Sequence, residues 1–158
     1  MLSALVLAAA ANVSAQFFDD FGGNWTCGNA NYHAQWSITS PAGNYWTLVQ
    51  YGVDLAHLGG TAYVGWLPLE NKYIYNDYHN DGSFSQLTSP APAADGVWHW
   101  TGRFYMAGAT SIDTALDILW TRVGDKIERR FRKNENGKLT EMGADSCTKA
   151  GNASFLHQ

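Results

Sequence analysis

The chain has 158 residues, of which 46% are hydrophobic and 15% charged, and its formal net charge at pH 7 is −4. That length suits one domain with a single core. The mild acidic excess excludes the basic footprint of a nucleic-acid-binding domain, so no nucleic-acid partner is expected.

Residues 1–16 read MLSALVLAAAANVSAQ. The apolar run from Leu2 to Ala11 is followed by Val13-Ser14-Ala15, a small-x-small pattern. This reads as a signal peptide over residues 1–15, cut near Ala15, leaving a secreted or periplasmic protein. The competing reading is a buried Ala-rich helix. No Lys or Arg precedes the run, so an upstream start stays open. About ten apolar residues are too few to span a bilayer, which needs roughly 20, so no stable membrane anchor is expected.

The folded part is expected over residues 16–149. It begins near Phe21-Gly22-Gly23-Asn24-Trp25-Thr26-Cys27-Gly28. Strands are predicted over 24–28, 32–39 and 45–51, with 53–58 ambiguous between a turn and a short helix. Further strands are predicted over 61–69, after the Gly59-Gly60 breaker, and over 72–79. The last pairs with 83–88 across Asn80-Asp81-Gly82, a strong hairpin cue. A Pro- and Ala-rich loop, 89–96, leads into strand 97–106. Residues 114–123 are contested. Ile112, Ala115, Leu116 and Leu119 fit helical spacing, whereas Leu116, Ile118 and Trp120 alternate as a strand; the strand is preferred. Strands 126–133 and 138–148 follow, joined by Asn134-Glu135-Asn136-Gly137, and residues 150–158 read as a flexible tail.

Seven Trp, eight Tyr and seven Phe, with 16 Gly as punctuation, mark an all-β chain. No crossover helices separate the strands, so they should form an antiparallel meander. A meander of about 8–10 strands tends to close into a barrel, because closure removes exposed edges. Gly22 and Gly23 would let the chain bend into that barrel, and Trp25 would plug its closed end while its N–H meets a backbone acceptor.

Cys27 and Cys147 are the only cysteines. In an exported chain they are most simply a disulfide; two free thiols or a metal pair are the alternatives. No second Cys or His sits at ligand spacing to either one, so no metal site is expected.

At this point the chain resembles a calycin-type domain, the group of lipocalins, fatty-acid-binding proteins and nitrobindin-like barrels. More narrowly it is similar to small exported bacterial domains. The residues that carry the likeness are the early GGNWTC, the central WLPLENKYIYNDYHNDGSF with WHWTGRF, and the ending RVGDKIERRFRKNENGKLTEMGADSCTK. The resemblance covers about residues 21–149 and implies a ten-stranded or similar barrel. It does not fix a function, because calycins host carriers, haem proteins, isomerases and inhibitors. The late strands contain no His, so a haem reading ranks last and no cofactor is expected.

Several constellations could carry chemistry. Tyr73, Tyr75, Asp77, His79 and Asp81 share one face of strand 72–81. Asp77 and His79 are candidate acid–base residues, although His79 and Asp81 near a hairpin would ordinarily face water. In Val97-Trp98-His99-Trp100 the two indoles share one face and His99 takes the other, so the register decides which is functional. Trp36, Trp46, Tyr63, Trp66, Tyr75, Trp98, Trp100 and Tyr105 are the candidate ligand-binding residues, with Trp25, Cys27 and Cys147 structural. The same rings could fill the core instead. Arg129-Arg130-Phe131-Arg132-Lys133, flanked by Glu128 and Glu135, reads as the solvated face of a strand. The expectation is a monomeric barrel holding a small apolar or aromatic molecule. A small-barrel enzyme of isomerase, cyclase or lyase type and a cell-envelope interaction module are the alternatives.

Overall fold

The computed structural model describes residues 16–40, 46–53, 58–90, 95–108 and 113–151. Ten strands make up its sheet. They are β1 (Gly23–Gly28), β2 (His33–Thr39), β3 (Trp46–Val53), β4 (Gly59–Leu67), β5 (Lys72–His79), β6 (Phe84–Ser89), β7 (Val97–Tyr105), β8 (Asp113–Val123), β9 (Lys126–Glu135) and β10 (Lys138–Lys149). Each strand pairs antiparallel with its sequence neighbours, and β1 closes on β10. This is the expected closed meander barrel, and it is compatible with a calycin-type architecture.

Local chemistry explains the elements. Asn136 and Gly137, with φ of 53° and 83°, form the two-residue turn between paired Glu135 and Lys138, as the right-handed twist of a hairpin prefers. The contested segment is strand β8, with Trp120 opposite Trp98 on one side and opposite Arg129 on the other. Helical spacing loses there because Ile118 and Trp120 must both face inward between two paired neighbours; Ile112 and the ambiguous residues 54–57 lie outside the described residues. So do the predicted signal peptide, residues 1–15, and most of the predicted tail, 152–158.

Strand directions alternate, so odd-numbered strands begin at one end of the barrel and finish at the other. At the first end a short helix, α1 (residues 16–21), precedes β1. No helix is evident there from the sequence reading, although Phe17 and Phe21 stand one helical turn apart. Both are buried, and they meet Trp98 and Trp120 at ring distances of 5.3 to 5.9 Å. Trp25 is also fully buried, and its Nε1 donates to the Phe21 carbonyl at 2.7 Å. Trp98 Nε1 donates to Asp20 at 2.7 Å, and Arg122 donates to the Asp20 carbonyl. Gly23, at φ 116°, makes the bend from helix to strand. A Cβ on Gly22 would lie 2.6 Å from the Phe18 carbonyl oxygen. This end is an aromatic plug, with the Trp25 and Trp98 N–H groups both paired.

Cys27 and Cys147 stand opposite each other in the β1–β10 register and form a disulfide across 120 residues. The bond joins the first strand to the last, where the meander closes.

Candidate functional site

Beyond the plug the lumen holds a cavity of about 260 Å³. Trp100 and Trp120 line it and also touch Phe17, so they separate cavity from plug. Its other walls include Trp36, Tyr75, Leu87, Leu116, Ile118 and Phe131. The lining residues Tyr51, Val53, His79, Leu116 and Phe131 are partly exposed, whereas Trp100 and Trp120 are buried, so the cavity opens at the end away from α1.

A polar cluster faces this cavity from β3 and β5. The Tyr51 hydroxyl lies 3.0 and 3.1 Å from the two Asp77 carboxylate oxygens and 2.9 Å from His79 Nδ1. His79 Nε2 lies 3.4 Å from Asp77 Oδ2 and 3.5 Å from the Ser85 hydroxyl. Tyr51 and His79 are not on adjacent strands, because β4 runs between them. Gly60 makes the meeting possible: it stands opposite Tyr51 on one side and opposite His79 on the other. A Cβ at Gly60 would sit 2.5 Å from the Tyr51 hydroxyl. Its missing side chain is the gap through which Tyr51 reaches across.

The electrostatics of this cluster are those of a half-dry site. Burial pushes the Asp77 carboxyl up; the neighbouring His79, the Tyr51 hydrogen bond and Arg129 pull the other way. Burial also pushes the Tyr51 and Tyr75 hydroxyls far up, with the Asp77 charge adding to the effect, so both remain protonated donors.

Arg129 corrects the reading of the basic run as a solvated face. It points into the lumen from β9, and its guanidinium bonds Asp145 of β10 at two points, 2.8 and 2.5 Å. It also lies 4.1 Å from the centroid of the Trp36 ring. Burial lowers the Arg129 pKa to about 10, which leaves it charged at neutral pH. Burial pushes the Asp145 carboxyl up, and the two-point hydrogen bond from Arg129 opposes that by favouring the ionised form. The pair is nearly sealed, with side-chain exposures of 5% and 0%.

The remaining predicted residues divide by register. Trp36, Tyr75 and Trp100 line the cavity. Trp98 faces inward but belongs to the plug, and Trp66 packs on Tyr73 outside the cavity lining. Trp46, Tyr63 and Tyr105 are corrected: they are 43%, 46% and 42% exposed on the outer wall. The alternation that turns Thr47, Ala62, Val64 and Phe104 to the other face turns these rings outward. Trp46 covers Gly65, whose Cβ would meet its ring at 2.5 Å. Tyr63, Tyr78, Phe84 and Tyr105 form an external ladder of rings 5.1 to 6.5 Å apart. His99 also faces outward, where its Nε2 lies 2.7 Å from Asp117, which Arg132 also binds. A His–Asp pair exists there, but on the outer wall. Asp81 is exposed and binds Ser83 in the β5–β6 turn.

Sequence reasoning missed Tyr51, Gly60, Arg129 and Asp145. The signal for Tyr51 was available, because Thr47, Val49 and Tyr51 alternate with Leu48 and Gln50. Nothing local marks Arg129 as inward rather than Arg130. Among the described residues, no group of three or more His, Cys, Asp or Glu side chains is placed to hold a metal ion. No family model matches the chain, and no curated protein matches it in sequence.

Proposed function

We propose that the protein is an exported barrel that binds a compact, flat, largely apolar molecule in its lumen. The observation that carries this reading is the cavity. The same barrel packs one end with its own rings and leaves about 260 Å³ open at the other. That volume lies just below the roughly 300–1,000 Å³ of ordinary ligand pockets, which favours a one- or two-ring molecule. Desolvation against aromatic walls would supply affinity at about 25 cal/mol per Å² of apolar surface. Tyr51, Asp77 and His79 would orient the polar end. The disulfide suits an oxidising compartment, which is what export to the periplasm or beyond would provide.

The test is titration calorimetry with naphthylmethanol, a neutral bicyclic probe, beside native mass spectrometry of the exported protein. Saturable one-site binding is expected, with loss of binding in Leu116→Trp, which fills the cavity. A bare protein mass together with no binding of any bicyclic probe overturns the reading.

One geometric observation favours a second reading, an acid–base enzyme. Asp77, His79 and Tyr51 lie within 3.4 Å of one another inside the cavity. A bound carbon acid could lose a proton to the Asp77–His79 pair while Tyr51 donates to its oxygen. Turnover of a bound ligand that disappears in His79→Gln would favour the enzyme; recovery of the ligand unchanged would favour the carrier.

A further inference from the structure

We propose that the lumen selects a flat molecule carrying one positive charge, an arylalkyl ammonium, whose N–H groups bind at Asp77. This rests on the reading that the lumen binds a small molecule, and it names the chemistry of that ligand.

The first observation is the charge balance. Among the described residues lining the cavity, the side chains other than tyrosine that can carry charge are Asp77, His79 and Arg129. Arg129 is matched by Asp145 through the two-point bond. Asp77 then leaves one carboxylate facing the cavity, with no guanidinium of its own and the His79 imidazole 3.4 Å away. A carboxylate in such a half-buried site gains most from a cation and loses most from a second anion.

The second observation is a shortage of donors. An ionised carboxylate can accept at about four sites. The Tyr51 hydroxyl has one proton for two Asp77 oxygens at 3.0 and 3.1 Å, and His79 Nδ1 lies 2.9 Å from the same hydroxyl oxygen. His79 approaches the same carboxylate through Nε2, at 3.4 Å. An ammonium brings three donors and accepts nothing, which fits what the cluster lacks.

The third observation is the walls. Ring faces attract cations, and this lumen already uses that attraction where Arg129 lies over Trp36. Arg129 is not a ready clamp for an acidic ligand, because its fork is held by Asp145 and its face by the indole. A ligand carboxylate would find no unmatched guanidinium there and would face Asp77.

Three matched probes test this by calorimetry at neutral pH: naphthylmethylammonium, naphthylmethanol and naphthoate. The ammonium is expected to bind about tenfold or more tighter than the alcohol, as a charge-assisted hydrogen bond provides. Naphthoate is expected to bind most weakly. In Asp77→Asn the ratio of ammonium to alcohol affinity should collapse toward one. Equal binding of ammonium and alcohol, tightest binding of naphthoate, or an unchanged ratio in Asp77→Asn overturns the charge assignment while leaving the lumen a binding site. Failure of all three probes to bind removes the parent reading and this one with it. The wild-type series decides the matter even if Asp77→Asn does not fold.

Discussion

The two ends of the lumen are built from the same residue types and end in opposite states. At the α1 end, Phe17, Phe21, Trp25 and Trp98 interlock, and both buried indole N–H groups find acceptors. At the other end, Trp36, Tyr75 and Trp100 are just as aromatic, yet small neighbours such as Ala34 and Ser85 leave space between opposed walls. Aromatic density therefore does not distinguish plug from pocket. What lies across the barrel from each ring does, because packing fails wherever two facing side chains cannot span the gap.

The sharpest way to break the contrast is to hollow the plug. Trp98→Ala should cost about 3–5 kcal/mol, as other large aromatic truncations do, measured by urea unfolding. In the cavity wall Leu87→Ala should fall at or below the low end of the roughly 2–5 kcal/mol of a packed leucine, because its side chain already borders empty space. Equal losses would mean that the two ends are not packed differently.

Removing the disulfide comes next. Cys27→Ser with Cys147→Ser should lower stability by about 2–4 kcal/mol, mainly through a freer unfolded chain. The fold should persist, since β1 and β10 keep their backbone pairing. Loss of the far-ultraviolet β signal at ambient temperature would show that closure depends on the covalent bond.

Gly60→Ala targets the open end alone. The added methyl displaces the Tyr51 hydroxyl, with an overpacking cost of about 1–3 kcal/mol. Binding of the ammonium probe should fall severalfold more than stability alone explains. Unchanged probe affinity would detach Tyr51 from the site.

The pH dependence is a smaller effect. Burial raises the Asp77 carboxyl, so the folded state holds that proton more tightly than the unfolded chain. Its contribution to stability is therefore largest in acid and falls as pH rises from the ordinary carboxylate range through the raised value. Tyr51 from β3, His79 from β5 and Arg129 from β9 face the group and limit the shift. Asp77→Asn should remove that part of the slope in urea midpoints taken from pH 4 to 7; an identical slope in both proteins would refute the assignment. The smallest effect belongs to the outer wall. Tyr105→Ala should change stability by roughly 0.2–1 kcal/mol, the range of a cross-strand pair, and leave probe binding as it was.

Much of the barrel was legible in the sequence because its signals are local. Asp81-Gly82 and Asn136-Gly137 mark hairpins by backbone conformation, and the Trp25–Cys27 spacing puts both on one face. The candidate site was legible only in part. Asp77 and His79 stood out by type and spacing, but Trp46, Tyr63 and Tyr105 were drawn in by their aromatic character although alternation turns them outward. Tyr51 gains its role from Gly60 and His79 on two other strands.

By itself the sequence determined the all-β character and the meander order, because period-two alternation, turn residues and short connections act over a few residues. Only the tertiary structure decided that His99 lies outside and Arg129 inside, that α1 seals one end, and that the other end is hollow. Alternation says which residues share a face, but the inward face and the distance to the opposite wall depend on closing all ten strands at once.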